Sequence, residues 1–214
     1  MDTCLSEESK PSLENLFLDF EHPNPNINHK ACVDMALYWP DASIERLIVK
    51  LDTKNIEMRR KSVKALGFFG DAALLPLVKI FLTSKDLSVR ISCLKVFVKI
   101  AAIEKYDPIP KCLEEVIEIA LKDENPQTIL ALVSLLRQLY KQGLPILILL
   151  TRDTNILRAK AAITALGEID DPSAANCLKS LLNDSAIDSL LKESILFSME
   201  NYSSRLNLFD RNKK

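Results

Sequence analysis

Apolar residues recur along the chain at the spacing of α-helices. In the clearest stretch, Leu74, Leu77, Val78, Phe81 and Leu82 stand at i, i+3, i+4, i+7 and i+8. This spacing places all five side chains on one face of a helix. The stretch before it carries a similar stripe, and a short polar break separates the two. The pattern predicts a pair of amphipathic helices, neither of which buries its apolar stripe without neighbours.

The same two-helix pattern recurs along the sequence. Clear copies of the first helix begin at residues 55, 86 and 154, and weaker copies begin near residues 24, 125 and 186. One apolar position of the first helix is filled in turn by Ala36, Leu66, Phe97, Leu136, Leu166 and Met199. The steps between these positions are 30–33 residues, except for one of 39 residues that contains an insertion at 106–110. A period of this length is typical of stacked helical repeats.

The clear copies combine an Asp or Asn, an arginine about four residues later and, in two of them, Ala-Leu-Gly, which resembles a HEAT repeat. Residues with side-chain oxygens that can cap the first helices are Asn55, Asp86, Asn125 and Thr154 or Asn155. We predict an all-α fold, an α-solenoid of about six HEAT-like two-helix repeats over residues 13–202. We expect a flexible N-terminus over residues 1–12 and a polar C-terminal tail over residues 203–214.

The composition supports helices and excludes several classes of protein. Four glycines in 214 residues are too few for the turns of a many-stranded β-protein. Lys and Arg number 28 against 29 Asp and Glu, so the basic excess of a nucleic-acid-binding protein is absent. No apolar run approaches the roughly 20 residues that a membrane-spanning helix needs. We therefore predict no nucleic-acid partner and no transmembrane segment.

The cysteines and histidines give no sign of a disulfide framework or a metal site. The five cysteines are scattered, with no Cys-x-x-Cys pair and no secretory leader before them. They indicate free thiols in a reducing compartment, so we expect a cytoplasmic location. His22 and His29 are the only histidines, and no metal-ligand spacing can be assembled around them.

Several segments resemble the E/F-type phycobilin lyases, whose members are built from HEAT-like repeats. These segments are residues 22–26, 59–67, 165–169 with the following Asp171-Pro, 182–188 and 191–194. Within the family, the chain length and the closing segment are most similar to the CpcF and CpeZ members. The resemblance extends over nearly the whole repeat region.

This resemblance implies a cyanobacterial protein that assists thioether attachment of a bilin to a cysteine of a phycobiliprotein subunit, in phycoerythrin or phycocyanin. The bilin, phycoerythrobilin or phycocyanobilin, would be a transient substrate, and no tightly bound cofactor is expected. The implied partners are the phycobiliprotein subunit and an E-like or CpeY-like HEAT-repeat lyase protein. The resemblance also implies association with phycobilisomes at the thylakoid surface.

Arginines are the natural partners of the two bilin propionates, because the guanidinium group offers a planar fork that suits a carboxylate. The repeated arginines Arg59, Arg90 and Arg158 also have a structural interpretation, as a ladder that bonds neighbouring loops and holds the repeats in register. Arg60 and Lys61 lie beside the repeated position and are therefore the preferred ligand-binding candidates.

The only tryptophan lies in the turn between the two helices of the first repeat. Tyr38 and Trp39 offer aromatic rings that can stack on a bilin, and Arg46 follows them as a possible propionate partner. The alternative is that Trp39 covers the core of the first repeat.

Two places carry groups suited to proton transfer. His29 takes the place of the repeated arginine in the first copy, and histidine side chains commonly donate and accept protons in catalysis, so it is a candidate acid or base. Tyr106 and Asp107 lie in the inserted loop, and loops on a rigid scaffold often carry function. The alternatives are a ladder or surface histidine and an ordinary solvent-exposed loop.

Three classes of function are compatible with the sequence. The chain is one subunit of a bilin lyase that forms a carbon–sulfur bond, a chaperone-like partner that holds the phycobiliprotein subunit, or a HEAT-repeat interaction scaffold without enzymatic activity. No catalytic triad, metal motif or phosphate-binding loop favours an enzyme independently of the resemblance.

Overall fold

The computed structural model describes the backbone of residues 10–211 and the side chains of residues 10–205. This part of the chain contains α-helices and two short 3-10 turns and no β-strand, which confirms the predicted all-α fold. The helices are α1 (Leu13–Glu21), α2 (Pro25–Tyr38), α3 (Pro40–Val49), α4 (Ile56–Leu66), α5 (Asp71–Thr83), α6 (Leu87–Glu104), α7 (Lys111–Leu121), α8 (Pro126–Gln138), α9 (Tyr140–Leu150), α10 (Ile156–Gly167), α11 (Pro172–Leu182) and α12 (Ser189–Arg211).

The described helices form five consecutive pairs along the chain, one fewer than the sequence predicts. The first helices of the pairs are α2, α4, α6, α8 and α10, and each is followed by its second helix. The last copy of the pattern contributes only a long first helix, α12, which continues to Arg211. Residues 203–211 of the segment predicted as a polar tail continue this helix, and residues 212–214 lie outside the described range.

An Asn or Asp caps every first helix. The side chain of Asn55 accepts a hydrogen bond from the Met58 amide at 3.0 Å, and Asn155 accepts one from the Arg158 amide at 3.1 Å. The same role is filled by Asn24, Asp86, Asn125 and Asp188. Capping satisfies backbone amides that have no partner inside the helix, so these residues fix where each copy begins.

Helix α1 precedes the first pair and covers it. Leu16, Phe17 and Phe20 are buried in its contact with α2. The Trp39 indole donates a hydrogen bond to the Pro11 carbonyl at 2.9 Å, and the Lys10 ammonium lies 3.5 Å from the centre of the Trp39 ring. Of the segment predicted to be flexible, residues 1–9 lie outside the described range, whereas residues 10–12 contact the helices.

The chain divides into two compact units between Glu104 and Lys105. In the first unit the largest fully buried side chains include Phe20, Phe81 and Phe97. In the second unit they include Leu113 and Ile129. Burying an aliphatic or aromatic side chain of this size stabilises a fold by about 1.5–3 kcal/mol, so the apolar stripes read from the sequence are what hold the helices of each unit together.

Two glycines let neighbouring first helices approach closely. Gly167 ends α10 against α12, where an added Cβ would lie 2.7 Å from the Ser198 carbonyl oxygen. Gly67 follows α4 against α6, where an added Cβ would lie 2.9 Å from the Lys99 Cβ. Both glycines belong to the repeated Leu-Gly pair, so each marks a contact between successive first helices.

Within the described range, no helix is long and apolar enough to cross a membrane.

Candidate functional site

The candidate site lies on the first helices of the first unit, on the sides of α4 and α6 that face away from the core. Arg60 and Lys64 follow each other by one turn on α4, and Lys95 and Lys99 do the same on α6. All four side chains are exposed. We call these four residues the cation array.

A groove of about 290 Å³ runs between α4 and α6 at one end of the array. It is lined by Lys64, Gly67, Phe68, Lys99, Ala102 and Ile103. Its floor is apolar, and Ile103 is 61% exposed although it is a large aliphatic residue. Because Gly67 has no side chain, the Lys99 side chain packs directly against it, and an added Cβ would lie 2.9 Å from the Lys99 Cβ. The groove thus combines an apolar surface with two ammonium groups.

The positive charges of the array are not neutralised within the described part of the chain, where none of the four residues forms an ion pair. Like charges one turn apart on a helix repel each other by about 0.2–0.5 kcal/mol per pair. The array therefore contributes nothing favourable to folding, and its electrostatics suit the binding of an anionic group.

His29 lies beside the same groove. Its ring packs edge-to-face on Phe68, with the ring centroids 5.1 Å apart. The sequence comparison aligned His29 with the repeated arginine, but the position four residues after the N-cap Asn24 is filled by Asn28. The Asn28 side chain is buried and donates a hydrogen bond to the Phe20 carbonyl. His29 is instead exposed on α2, where it contacts the turn that follows α4.

Lys61 does not point into the groove. Its ammonium group forms an ion pair with Glu57 at 3.4 Å and donates a hydrogen bond to the Glu21 carbonyl at 3.4 Å. Of the two preferred ligand-binding candidates, the structure therefore brings Arg60 together with the groove lysines, while the Lys61 ammonium is engaged beside α4.

Tyr38 and Trp39 lie at the α2–α3 turn and Arg46 lies in the last turn of α3, and none of the three lines the groove. Tyr38 and Trp39 are half-buried. Arg46 donates two hydrogen bonds to the Glu14 carboxylate, at 2.7 and 3.2 Å, and its guanidinium group lies 3.9 Å from the Phe17 ring centre. The hydrogen bond and the charge of Arg46 lower the pKa of Glu14. In the described structure these groups attach α1 to the first pair.

Arg59, Arg90 and Arg158 have three different environments. Arg59 donates to the Thr53 carbonyl of its own loop at 3.3 Å. Arg90 packs its guanidinium group 4.9 Å from the centre of the Phe81 ring. Arg158 is only 6% exposed and connects two loops. The three residues are aligned in the repeat pattern, but the structure gives each side chain a different set of contacts.

Arg158 donates a hydrogen bond at 3.0 Å to each of three acceptors, the Asp153 and Glu124 carboxylates and the Asp123 carbonyl. Burial alone would lower the pKa of the guanidinium group, but these hydrogen bonds and the two carboxylate charges raise it. The hydrogen bonds from Asn155 and Arg158 lower the pKa of Glu124. Arg158 is thus held charged between the loop of its own repeat and the loop of the preceding one.

The position of Arg158 on its helix explains this difference. It is the third residue after its N-cap, whereas Arg59 and Arg90 are the fourth. One residue turns the side-chain direction by about 100° around the helix axis. Thr128 is also third after its cap, and it likewise donates to a loop carboxylate, that of Asp123, at 3.2 Å.

Tyr106 and Asp107 lie in the loop before α7, in the second unit. Gln142 at the start of α9 holds this loop, since its amide nitrogen donates to Asp107 at 3.1 Å and its oxygen accepts from the Ile109 amide at 2.8 Å. Tyr106 is half-buried and Asp107 is exposed. No sequence signal marks Gln142, because its two partners lie more than thirty residues before it in the chain.

The second unit has its own groove, of about 390 Å³, between α8 and α10. Its floor includes Leu130 and Leu157. Arg137 forms an ion pair with Glu168 across the groove. The hydroxyl groups of Ser134 and Thr164 donate to carbonyls of their own helices. Most polar groups here already have partners, in contrast to the α4–α6 groove.

Two cysteines near the first helices of the first unit are poor nucleophiles. Burial raises the pKa of Cys32 to about 11, although the nearby Lys64 charge opposes the shift, and burial raises the pKa of Cys93 to about 12. Both remain neutral thiols near neutral pH. The described residues bring no group of three His, Cys, Asp or Glu side chains together as a metal site.

Sequence reasoning identified Arg60 and His29 but missed Lys64, Lys95 and Lys99. A signal for them existed. The two pairs of like charges stand four residues apart on predicted helices, on the side away from the apolar stripe. The apolar part of the groove carries no such signal, because single exposed apolar residues are common on protein surfaces.

The chain is similar to known proteins over most of its length. A HEAT-repeat family profile matches residues 113–200. The bilin biosynthesis protein CpeZ of Synechococcus sp. (strain WH8020) is 31% identical over 185 residues, which cover 84% of this chain and 98% of that protein. The uncharacterized phycocyanin operon protein Z of Pseudanabaena tenuis (strain PCC 7409) is 29% identical, with 86% and 91% covered.

Solved structures show the same fold. The X-ray structure of the Escherichia coli protein YibA matches 96% of this chain and 81% of its own, with a TM-score of 0.51 and 19% identity. A likeness at this level of identity concerns the helical-repeat architecture alone.

Proposed function

Because this chain belongs to the E/F-type phycobilin lyase family, we propose that it assists the thioether attachment of a bilin to a cysteine of a phycobiliprotein subunit. It acts as a lyase subunit or as a lyase-associated chaperone. The bilin is a transient substrate, phycoerythrobilin or phycocyanobilin, and the acceptor belongs to phycoerythrin or phycocyanin.

The observation that carries the proposal is the α4–α6 groove. A bilin is an extended apolar tetrapyrrole with two propionates, and the groove offers an apolar floor with ammonium groups that have no ion-pair partner in the described structure. In this proposal Lys64 and Lys99 bind the propionates, and Arg60 adds positive charge one turn away. Charged hydrogen bonds of this kind are about twice as strong as neutral ones.

The reaction itself requires no nucleophile from this chain. The acceptor thiol adds across the ethylidene double bond of the bilin, so that sulfur bonds to the ethylidene carbon and the thiol proton is returned to the adjacent ring. The protein's contribution is to hold the bilin and to move that proton. His29 is the candidate for proton transfer at the groove, and Tyr106 and Asp107 of the second unit remain sequence-based candidates for the same role.

The partners in this proposal are the acceptor subunit and an E-like or CpeY-like HEAT-repeat protein. The site of action is the cytoplasm, at phycobilisomes along the thylakoid surface. The family membership supports these assignments.

The test is co-expression of the chain with a bilin source, an apo-phycobiliprotein subunit and an E-like partner. Lys64→Gln combined with Lys99→Gln removes the groove charges. Lys79→Gln combined with Lys85→Gln is the matched control, because it removes two exposed lysines of the first unit that lie outside the groove. We expect the groove variant to lower covalent bilin on the subunit at least tenfold and the control to retain wild-type yield.

The same experiment separates the three classes of function. A lyase subunit raises covalent bilin only when the bilin, the subunit and the partner are all present. A chaperone raises the yield of folded subunit even without bilin. Equal yields from the wild type, the groove variant and an empty vector would reject the bilin role and leave an interaction scaffold.

A further inference from the structure

The glycine at the α4–α6 groove holds one particular side chain. An added Cβ at Gly67 would lie 2.9 Å from the Cβ, 3.0 Å from the Cδ and 3.5 Å from the Cγ of Lys99. These are its three nearest atoms, so the aliphatic stem of Lys99 runs along the space that a side chain at Gly67 would fill. At Gly143 and Gly167 the nearest atom is instead a backbone oxygen. Gly67 is therefore the glycine that accommodates a lysine stem.

A second contact holds the end of α6 at the same turn. Glu104, the last residue of α6, accepts a hydrogen bond from the Asp71 amide at 3.3 Å. An added Cβ at Gly70, which has a φ of +51°, would meet this carboxylate. The turn between α4 and α5 thus receives two side chains of α6, each at a glycine. Together the two contacts fix where α6 places Lys99 relative to the end of α4.

A fixed stem changes what a lysine contributes to binding. A lysine on an open helix face loses rotamer freedom when its ammonium group engages an anion, and ordering such a side chain weakens binding by about two- to tenfold. Lys99 lines the groove with its stem already packed against Gly67. Part of the ordering has thus taken place in the free protein, which raises affinity without a new contact.

We propose that Gly67 is a positioning residue of the α4–α6 groove, which holds the Lys99 stem so that the ammonium group is placed in advance for a carboxylate of the ligand. This inference rests on the proposed function, in which that carboxylate is a bilin propionate. Gly67 acts through Lys99 and requires no contact of its own with the propionate.

The experiment measures binding of free phycocyanobilin to the full chain by absorbance. Gly67→Ala, Lys99→Gln and the double variant are compared with the wild type. The dimethyl ester of the same bilin, in which both propionates are uncharged, is titrated in parallel. Gly167→Ala is the matched control, because it changes the same Leu-Gly pair where the neighbour is Ser198 and not a groove cation. Thermal unfolding of every variant separates a loss of stability from a loss of binding.

We expect Gly67→Ala to bind phycocyanobilin about fivefold more weakly than the wild type and Lys99→Gln to bind it about tenfold more weakly. Because Gly67 acts through Lys99, adding Gly67→Ala to Lys99→Gln causes no further loss. The dimethyl ester binds the wild type and Gly67→Ala equally. Gly167→Ala is less stable than the wild type but retains its bilin affinity.

Two results would overturn the inference alone. One is that Gly67→Ala binds phycocyanobilin as the wild type does, although Lys99→Gln binds it more weakly. The other is that Gly67→Ala weakens binding by the same factor with and without Lys99, which would mean that the new methyl group acts by filling the groove. If instead Lys99→Gln alone and combined with Lys64→Gln retains wild-type affinity, the proposed function fails at the groove, and the inference fails with it.

Discussion

The grooves α4–α6 and α8–α10 are built from equivalent first helices but differ in how their charged side chains are paired. In the first unit, Lys64 and Lys99 line the groove without an ion-pair partner in the described structure. In the second unit, Arg137 is paired with Glu168. The helical repeat thus fixes where a side chain points, while single residue choices decide whether a charge at that position is paired within the chain.

The loop arginines differ in the same sense as the groove cations. Arg158 of the second unit is buried and bonded to two loops, whereas Arg59 of the first unit makes one hydrogen bond at 3.3 Å. Arg158 thus joins the loops of two repeats, whereas Arg59 bonds only within its own loop.

The largest effect is expected for Arg158→Ala. Loss of the guanidinium group leaves the Asp153 carboxylate and the Asp123 carbonyl without their buried partner, which destabilises the protein by about 3 kcal/mol. Arg59→Ala removes one partly exposed hydrogen bond and costs about 1 kcal/mol. Urea denaturation monitored by circular dichroism gives both values. Equal losses for the two variants would show that the arginines have the same role in both units.

The repeated glycines give the next largest effect. In Gly167→Ala the new methyl group meets the Ser198 backbone, which shifts only together with α12, and we expect a loss of about 2 kcal/mol. In Gly67→Ala it meets the Lys99 side chain, and the better helix propensity of Ala offsets much of the cost, so the loss stays under about 1 kcal/mol.

Thermal unfolding of the two glycine variants measures this difference. Gly67→Ala serves also as a probe of the groove, because displacement of Lys99 is expected to weaken bilin binding without unfolding the protein. A Gly67→Ala variant less stable than Gly167→Ala would contradict the assignment of the two contacts.

The smallest effect on stability is expected for Glu168→Gln, which frees Arg137 in the α8–α10 groove. An exposed ion pair contributes little, so the free energy of unfolding changes by less than about 1 kcal/mol. The second groove then resembles the first in charge, and we expect a weak second phase of bilin binding that the wild type lacks. Absorbance titration detects it, and a single phase in both proteins would show that free charge is not what distinguishes the grooves.

The helical repeat could be predicted because its signals are local. Asn55 and Asp86 cap helices through hydrogen bonds to amides two or three residues away, so their role is visible in the sequence. The repeat of apolar residues likewise predicted where the first helices lie. Arg158 was aligned with Arg59 and Arg90, although it lies one residue closer to the N-cap of its helix. A shift of one residue on a helix points the side chain in a different direction.

Contacts between distant segments could not be predicted in the same way. Gln142 holds the loop that contains Asp107, and Trp39 holds a residue before α1. The two partners of each contact lie far apart in the chain, so these contacts produce no repeating pattern in the sequence. The groove depends on Lys64 and Lys99 of different helices lying side by side, which follows from tertiary packing. The sequence therefore predicted the type of surface but not which cations meet on it.

Helix α1 determines where the chain can be shortened or fused. Residues before Lys10 can be replaced by a tag or linker without touching the contacts described above, whereas a junction after residue 11 removes the carbonyl that the Trp39 indole needs. If the chain is truncated after residue 14, it also loses the Glu14 carboxylate that pairs with Arg46. If it is truncated after residue 20, it loses Phe17 and Phe20 and exposes the face of α2 that they cover. A series of N-terminal truncations would consequently lose solubility in steps rather than all at once.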